Sequence, residues 1–504
     1  MRNGDVRIRI KGTGLYVEPF RAQAQQPAFP STGQGKRTAG MRRVSGAGPN
    51  SVVGGNGVLL RQQSRQAVRS NWAAGRAVDL AVTHTIGTGI KPQSLCPDPV
   101  FREAVQQLWY DWTEFADADG VLDFYGLQAL AVQEWIEGSE CFARLRPRKP
   151  SDGLPVPLQI QLIESEQVPH EHTTIVPGGN TVVQGIERDQ LGRRTAYWMY
   201  RQHPGEWMLG GGDASLVRVP AAEVLHLYHP TRAGQLRGVP QLSRMLVRLN
   251  EAGEYEDAEL VRKKVAAMKM GAITRKPGSD EGEPLIGEEE ADAAGVADVG
   301  MEPGTMLVLD DGEDVKWFDP VDVGGNYETF MRWNYRGVAA SVNQLYEELT
   351  GDYSTLNDRT FRAAFNTFKR RYRFYQHNIV AQQFCARVWR RFIDLALIAG
   401  TLQRPAGVAD RDLYRVAWTP DRWEYIHPLQ DVQAVLKEIE GGLTSRTKAV
   451  SERNDDVEDI DRQRGDDAKR EQKLGLAPVA PPEGGDRYRV TPPAPAPDPG
   501  ASKP

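Results

Sequence analysis

The stretch VPAAEVLHLYHPTRAGQLRGVPQLSRML, residues 219–246, is where the chain changes character. Its first part, around Val224-Leu225-His226-Leu227-Tyr228, reads as a strand. An Arg-Gly-Gln loop follows, and from 241 to 269 the pattern is helical. A helix of that length reaches roughly 40 Å at 1.5 Å per residue. Glu259 and Lys263 sit on it at i,i+4 in the favourable order.

Toward the N-terminus, residues 140–228 keep a period of two. Cys141, Ala143 and Leu145 alternate with Phe142, Arg144 and Arg146, and Leu158, Ile160 and Leu162 with Gln159 and Gln161. GIERDQLGRRTAYWMY (185–200) reads as a hairpin turning at Gly192. Ahead of this lie two amphipathic helices. One carries Phe101, Val105, Leu108, Trp112 and Phe115, the other Leu127, Leu130, Ala131 and Trp135 on its inward face. Residues 61–85 look helical and are stopped by Gly87, Gly89 and Pro92. Residues 1–58, rich in Gly, Gln, Ser and Arg without a hydrophobic period, read as a disordered basic arm, with order beginning near Val58.

Toward the C-terminus, residues 277–300 read as an acidic, Gly-rich loop, and TMLVL and DVKWF as short strands around Asp311 and Gly312. Residues 326–349 are helical again, and Gly351 to Asn357 is a polar break. Phe361, Phe365, Phe368, Tyr372, Tyr375 and Ile379 then run at spacings of 4, 3, 4, 3 and 4, the cleanest amphipathic helix in the chain. Asp358 is placed to N-cap it, and it continues to about Ile398 and ends at Gly400. The Pro-rich tail beyond Gly475 reads as disordered.

These elements make an α+β chain. Its 504 residues, 40% hydrophobic, suffice for two or three domains. No run approaches the roughly 18 apolar residues of a membrane span, and the charged N-terminus does not read as a secretory signal. Cys96, Cys141 and Cys385 are far apart and read as buried free thiols. No Gly-Lys-Ser/Thr phosphate loop, Gly-x-Ser-x-Gly elbow or His-Glu-x-x-His pair is present, which argues against a nucleotide motor or a common hydrolase. His226 and His229 with Glu223 make a loose metal triad, but the two histidines would point to opposite strand faces. His170 and His172 lack a third partner. Asp117-Ala-Asp119-Gly120 echoes a calcium loop, but Gln128 stands where the bidentate Glu belongs, so it reads as a hydrogen-bonded turn. No metal and no cofactor are expected.

The net charge of −5 hides segregation. Residues 1–76 carry 13 Lys/Arg against Asp5 and Glu18. Arg359, Arg362, Lys369, Arg370, Arg371, Arg373, Arg387, Arg390 and Arg391 fall in 35 residues without one carboxylate. That face fits either duplex phosphates or an acidic surface on a neighbouring subunit, the second being favoured. Glu251, Glu254, Glu256, Asp257 and Glu259 form an acidic patch that fits either a channel lining or solvent. Carboxylates there would repel DNA and keep it centred, whereas lysines and arginines would grip it.

Nine stretches resemble the lambda family of phage portal proteins, in the family's order. They are SNWAAGRAVDL with IGTGIKPQ (70–93), LWYDWTEFADADG with LQALAVQEWIEGSECFARLR (108–146), LQIQLIESEQV (158–168), GIERDQLGRRTAYWMYRQHPGE (185–206), the opening block at 219–246, YEDAELVRKKVAAMKMGAIT (255–274), PGTMLVLDDGEDV (303–315), LTGDYSTLNDRTFRAAF (349–365) and AWTPDRWEYIHPLQDVQAVLKEIEGGLTSRTKAV (417–450). One departure is visible: the family follows Asp-Tyr-Ser closely with Ser and Arg, where this chain has Asp352-Tyr353-Ser354 and then Thr355-Leu356-Asn357-Asp358-Arg359. The resemblance implies a ring subunit, dodecameric, with an α+β wing at 59–240, a stem helix at 241–269, a small β-containing clip at 270–325, a second stem helix at 326–349, a tunnel loop at 350–358, a long wing helix with its following segment at 359–419 and a helical crown at 420–475. The loop would present Gly351, Asp352, Tyr353 and Ser354 to the channel; the alternative is an ordinary packed connection between helices. Implied too are a structural role without catalysis, double-stranded viral DNA in the channel, and contacts with the terminase large subunit, the major capsid protein and head-tail completion proteins. The protein would be assembled in the host cytoplasm and reside at one capsid vertex of the virion, with no membrane partner. The rival reading is a channel-less basic DNA-binding assembly factor.

Overall fold

The computed structural model describes residues 46–206, 215–267, 327–354, 356–421, 423, 428–453 and 455–475, with two short strand pairs at 8–9 with 16–17 and 271–275 with 313–317. The first pair is β1 (Ile8–Arg9) and β2 (Tyr16–Val17). Regular helix begins with α1 (Pro49–Ser70), ahead of the expected onset at Val58. Pro49 suits a first turn, where its missing N–H is no loss. The glycines that read as a mobile arm serve close packing instead. A Cβ on Gly54 would lie 2.6 Å from Gln184 Nε2, and one on Gly57 3.0 Å from His170 Cε1.

Asn71 ends α1 and caps α2 (Trp72–Ile86), accepting from the Ala73 and Ala74 N–H groups, so the helical segment expected over 61–85 is two helices. Strand β3 (Lys91–Ser94) leads to α3 (Pro99–Thr113), capped by Asp98. Phe101, Val105 and Trp112 are buried as expected, but Trp109 is fully buried while Leu108 is only partly so, and Phe115 lies beyond the helix and 47% exposed. In α4 (Phe124–Gly138), Leu127, Ala131 and Trp135 point inward and Leu130 outward.

Next come β4 (Glu140–Pro147), β5 (Leu158–Ile163), β6 (Thr174–Ile175), β7 (Thr181–Val183), β8 (Ile186–Arg188), β9 (Arg194–Tyr200), β10 (Leu216–Pro220) and β11 (Val224–Tyr228). Two antiparallel sheets result, ordered β11-β4-β5 and β10-β9-β8-β7-β6. The hairpin expected at Gly192 is β8–β9, with Ile186 opposite Tyr197. Cys141, Ala143 and Leu145 on one face of β4 join the main core with the helices. Phe142, on the other face, joins a second core with Tyr197, Met199 and Val219 of the meander. β4 is thus the strand both cores share.

After a short 3₁₀ turn at Gln241–Arg244, α5 (Leu246–Ala267) runs 22 residues, about 33 Å. The DVKWF strand forms as β13 (Glu313–Trp317), and its antiparallel partner is β12 (Gly271–Arg275); TMLVL lies outside the described residues. The helix expected over 326–349 is broken. α6 (Tyr327–Ser341) and α7 (Tyr346–Thr350) flank Asn343, which takes φ 61°, a left-handed conformation Asn tolerates.

The long helix is continuous in direction but not in winding. α8 (Asp358–Tyr375) passes into a π-helical stretch, Gln376–Cys385, then α9 (Ala386–Ala399), ending at Gly400 in the left-handed region. Phe368, Tyr372, Tyr375 and Ile379 are buried along it. The widened winding has partners: Gln376 Nε2 donates to the His84 and Thr85 carbonyls, and Gln383 Oε1 accepts from the Tyr228 N–H at 3.0 Å. The chain closes with α10 (Asp410–Leu413), β14 (Val416–Thr419) paired to β3, α11 (Pro428–Glu440), α12 (Arg446–Ser451) and α13 (Val457–Leu474). The architecture is mixed α+β, as the sequence implies. Among the described residues no helix is long and apolar enough to cross a membrane. The 1–58 arm before residue 46 apart from its two strand pieces, and the tail beyond Gly475, lie outside the described residues.

Candidate functional site

Gly351 ends α7 at φ 73°, a left-handed position suited to glycine. Asp352 then folds back on its own loop. Its Oδ1 accepts from the Ser354 N–H at 3.1 Å and hydroxyl at 2.5 Å, its Oδ2 accepts from the Tyr346 hydroxyl at 3.1 Å, and Arg332 lies 3.3 Å away. Hydrogen bonds from Ser354, ahead of those from Tyr346, hold this carboxyl below its ordinary range. Tyr353 is 54% exposed and carries the loop's outward surface. The α8 N-cap is Asn357, accepting from Arg359 N, rather than Asp358, which is the first helical residue.

The nine cations expected on one basic face divide. Arg359, Arg370 and Arg373 are exposed on α8, on the side away from its buried aromatic stripe. Lys369 lies over Phe365 and Trp423, its ammonium pushed down by burial and then by Arg373. Arg371 donates to the Tyr375 hydroxyl, Arg390 lies over Tyr414, and Arg387 donates to the Ala221 carbonyl. Arg362 and Arg391 are half-buried.

The acids of α5 divide as well. Glu259 is buried and paired with Arg262 at 2.6 Å, and Glu256 accepts from the Tyr335 hydroxyl of α6 at 2.9 Å. Glu251, Glu254 and Asp257 are left exposed, lining a groove of about 990 Å³ between α5 and the Gln62, Gln66 and Arg69 side of α1.

A buried polar network that the sequence reading missed lies where the two cores meet. Glu140, the first residue of β4, is wholly buried, and four donors reach its carboxylate. They are Arg237 Nε (2.7 Å), Gly238 N (2.9 Å), Ser165 Oγ (2.6 Å) and His226 Nε2 (2.8 Å). Burial alone would raise this carboxyl; Arg237 and the neighbouring histidines outweigh it and hold it well below the usual range. Arg237 spends its remaining donors on the Val168 and Gln184 carbonyls and on Ser165. Arg194 lies 2.8 Å from His226 Nδ1 and has no lone pair to offer, so Nδ1 accepts and Nε2 carries the proton. This is the neutral imidazole, and burial drives its pKa down to about 4. Gly238 must be glycine, because a Cβ there would fall 2.0 Å from the Ser139 carbonyl oxygen.

The same loop holds α1. Asn50 donates to the Gly234 carbonyl and accepts from Leu236 N, and Arg61 reaches Ser165 Oγ and Glu166. The Arg-Gly-Gln loop is therefore a clasp that fixes α1, both sheets and the start of α5 in one frame. A visible clue in the sequence was Arg237 set between Leu236 and Gly238-Val239, a poor place for a solvated charge.

Among the described residues no metal-ligand cluster gathers around His226, which is committed to Glu140 and Arg194, while Glu223 pairs with Arg144. Asp117 accepts from the Asp119, Val121 and Leu122 N–H groups, the hydrogen-bonded turn expected. Glu164, Glu166 and His203 converge, but Arg65 lies 3.6 and 3.1 Å from the two carboxylates and Arg61 2.9 Å from Glu166, so these acids already have cationic partners. The three cysteines are buried and free.

Residues 34–376 match the model of a family described as phage portal protein, lambda family. The chain is similar to the probable portal protein of Halomonas phage phiHAP-1, 24% identical over 430 residues covering 83% of this chain and 81% of that one. It is also similar to portal protein B of Escherichia phage lambda, 23% identical over 328 residues, 59% of this chain and 60% of that one. Among solved structures, the neck of a native GTA particle computed with twelvefold symmetry aligns at 15% identity and TM-score 0.42, over 82% of this chain and 92% of that one. With the family match extending over more than half of its residues, the chain belongs to the lambda family of phage portal proteins.

Proposed function

We propose that twelve copies of this chain close into a ring at one vertex of a phage capsid, and that double-stranded viral DNA passes through its channel during packaging and ejection. The observation that carries this reading is the portal-family match over residues 34–376. The separation of charge supports it. Exposed cations on α8 and exposed acids on α5 lie on different elements, which suits head-to-tail contacts that close into a ring. Arg370 and Arg373 have the same three-residue spacing as Glu254 and Asp257, about 4.5 Å of helix rise. The cations of α8 pair with the acids of the next subunit's α5, which leaves passing DNA without a cationic grip.

In this reading residues 59–240 form the wing, α5 and α6 the stem, the β12–β13 pair part of the clip, and residues 420–475 the crown. The loop after α7 turns Tyr353 toward the channel while Asp352 holds the loop's shape. The ring is a conduit and not a catalyst. A separate terminase motor docked on the clip supplies the energy, the major capsid protein holds the wing, and head-tail completion proteins seal the ring after packaging. Assembly takes place in the host cytoplasm and the product stays in the virion. Negative-stain images of the purified protein test this. Rings with a central hole support the conduit, and compact particles without a hole on added DNA support a channel-less DNA-binding factor.

A further inference from the structure

Arg144, Arg146 and Arg148 stand at two-residue steps along β4 and the residue after it, on the face opposite the main core. Successive guanidinium groups on such a face rise about 6.6–6.8 Å apart. Their local acceptors are mostly neutral. Arg146 Nε and Nη2 donate to Gln161 Oε1 at 3.0 and 2.5 Å, and Arg148 Nε donates to Gln159 Oε1 at 2.8 Å. The glutamines, on the paired strand β5, fix the planes of the guanidinium groups without neutralising them. Among the described residues one carboxylate lies within ion-pair reach of this row, Glu223, 3.6 Å from Arg144. Burial, and then the charges of Arg144 and Arg148, push the Arg146 guanidinium down from its ordinary value, the sign expected of a like-charged row lacking counter-ions.

We propose that this arginine row is a docking surface for an extended segment of a different protein that carries carboxylates on alternate residues. Three arguments fix the occupant. Side chains on one face of an extended segment repeat at the same two-residue rise as the arginines, so its carboxylates come into register with the guanidinium edges that Gln161, Gln159 and Glu223 do not occupy. The planar fork fits a carboxylate with two parallel bonds, and Glu223 already occupies one end of the row. On α5 and α13 the exposed carboxylates of this chain, Glu251, Glu254 and Asp257 on the first and Glu458, Asp461, Asp466 and Asp467 on the second, stand at helical positions, whose spacing cannot match the row. A duplex fits less well, because it meets a conduit's walls without being held and a three-arginine grip would brake it.

The test uses the purified full chain and a fluorescein-labelled twelve-residue peptide alternating Glu and Thr. Fluorescence anisotropy should show saturable binding that weakens with salt, and a peptide of equal composition with its glutamates in one block should bind less. R146Q/R148Q should weaken the alternating peptide by about tenfold or more, the loss of two charge-assisted contacts. R146K/R148K, which keeps the charges and removes the forks, should fall between, so a folding defect in the first variant does not decide the outcome. No binding by the wild-type chain, equal binding by both variants, or a loss confined to a labelled 20-base-pair duplex would each overturn the proposal.

Discussion

Arg237 and Glu140 form an ion pair from which water is excluded: Nε lies 2.7 Å from Oε1, and both side chains are 0% exposed. One belongs to the loop after β11 and the other opens β4, so their contact fixes the two cores relative to each other. Removing one partner leaves the other charged and buried, which costs about 3–5 kcal/mol. R237A and E140A should each lower the free energy of unfolding by that order, read as a lower urea midpoint with little change in slope. Replacement of both by apolar residues should recover part of the loss. Single variants as stable as the wild type would mean the clasp does not hold the fold.

The same pocket sets the acid response. The folded state keeps His226 neutral down to about pH 4, whereas an unfolded histidine takes a proton near 6.5. As pH falls between those values only the unfolded chain binds that proton, so stability falls, by at most about 1.4 kcal/mol per pH unit per site. His170 is shifted the same way, by burial and then by Arg237. Glu140 is lowered too, so its contribution is present above the usual carboxylate pKa and is lost as the pH falls below it. Urea midpoints should therefore decline from about pH 6.5 and steepen below about 4.5. H226Q should flatten the upper part of that curve; an unchanged profile would show that folding does not shift the His226 pKa.

Much of this frame was legible in the sequence, and what escaped has physical reasons. The aromatic run from Phe361 to Ile379 gave the long helix because its period is strong. In α3 the expected inward residue Leu108 gives way to its neighbour, since Leu108 and Trp109 are both apolar and only packing against Phe124 and Trp389 selects Trp109. The start of α1 was hidden because Gly54 and Gly57 are poor helix formers used for contact with Gln184 and His170. The clasp escaped because Arg61, Glu140, Ser165, His226 and Arg237 are far apart in the chain, and no local period reports a pairing across 97 residues.

Charge exchange tests the contact between subunits. R370E/R373E should abolish rings, as should E254K/D257K, and the four changes together should restore them. Analytical ultracentrifugation reads this directly. If rings of R370E/R373E persist while DNA is lost from filled heads, the α8 cations face DNA instead.

Tyr353 and Asp352 should separate. Y353A should leave ring assembly and thermal stability unchanged, because the ring is exposed, yet lower DNA retention in reconstituted heads. D352A should loosen the loop through loss of its contacts with Arg332, Tyr346 and Ser354. Full retention in Y353A would remove this loop from the mechanism, and failure of Y353A to form rings would mark a packed connection.

The central claim is that this chain closes into a ring by itself. Multi-angle light scattering on the purified protein at micromolar concentration and moderate salt, without nucleotide or metal, measures that most directly. The account predicts a discrete species near twelve times the 56.0 kDa chain mass. A monomer alone under those conditions would contradict it.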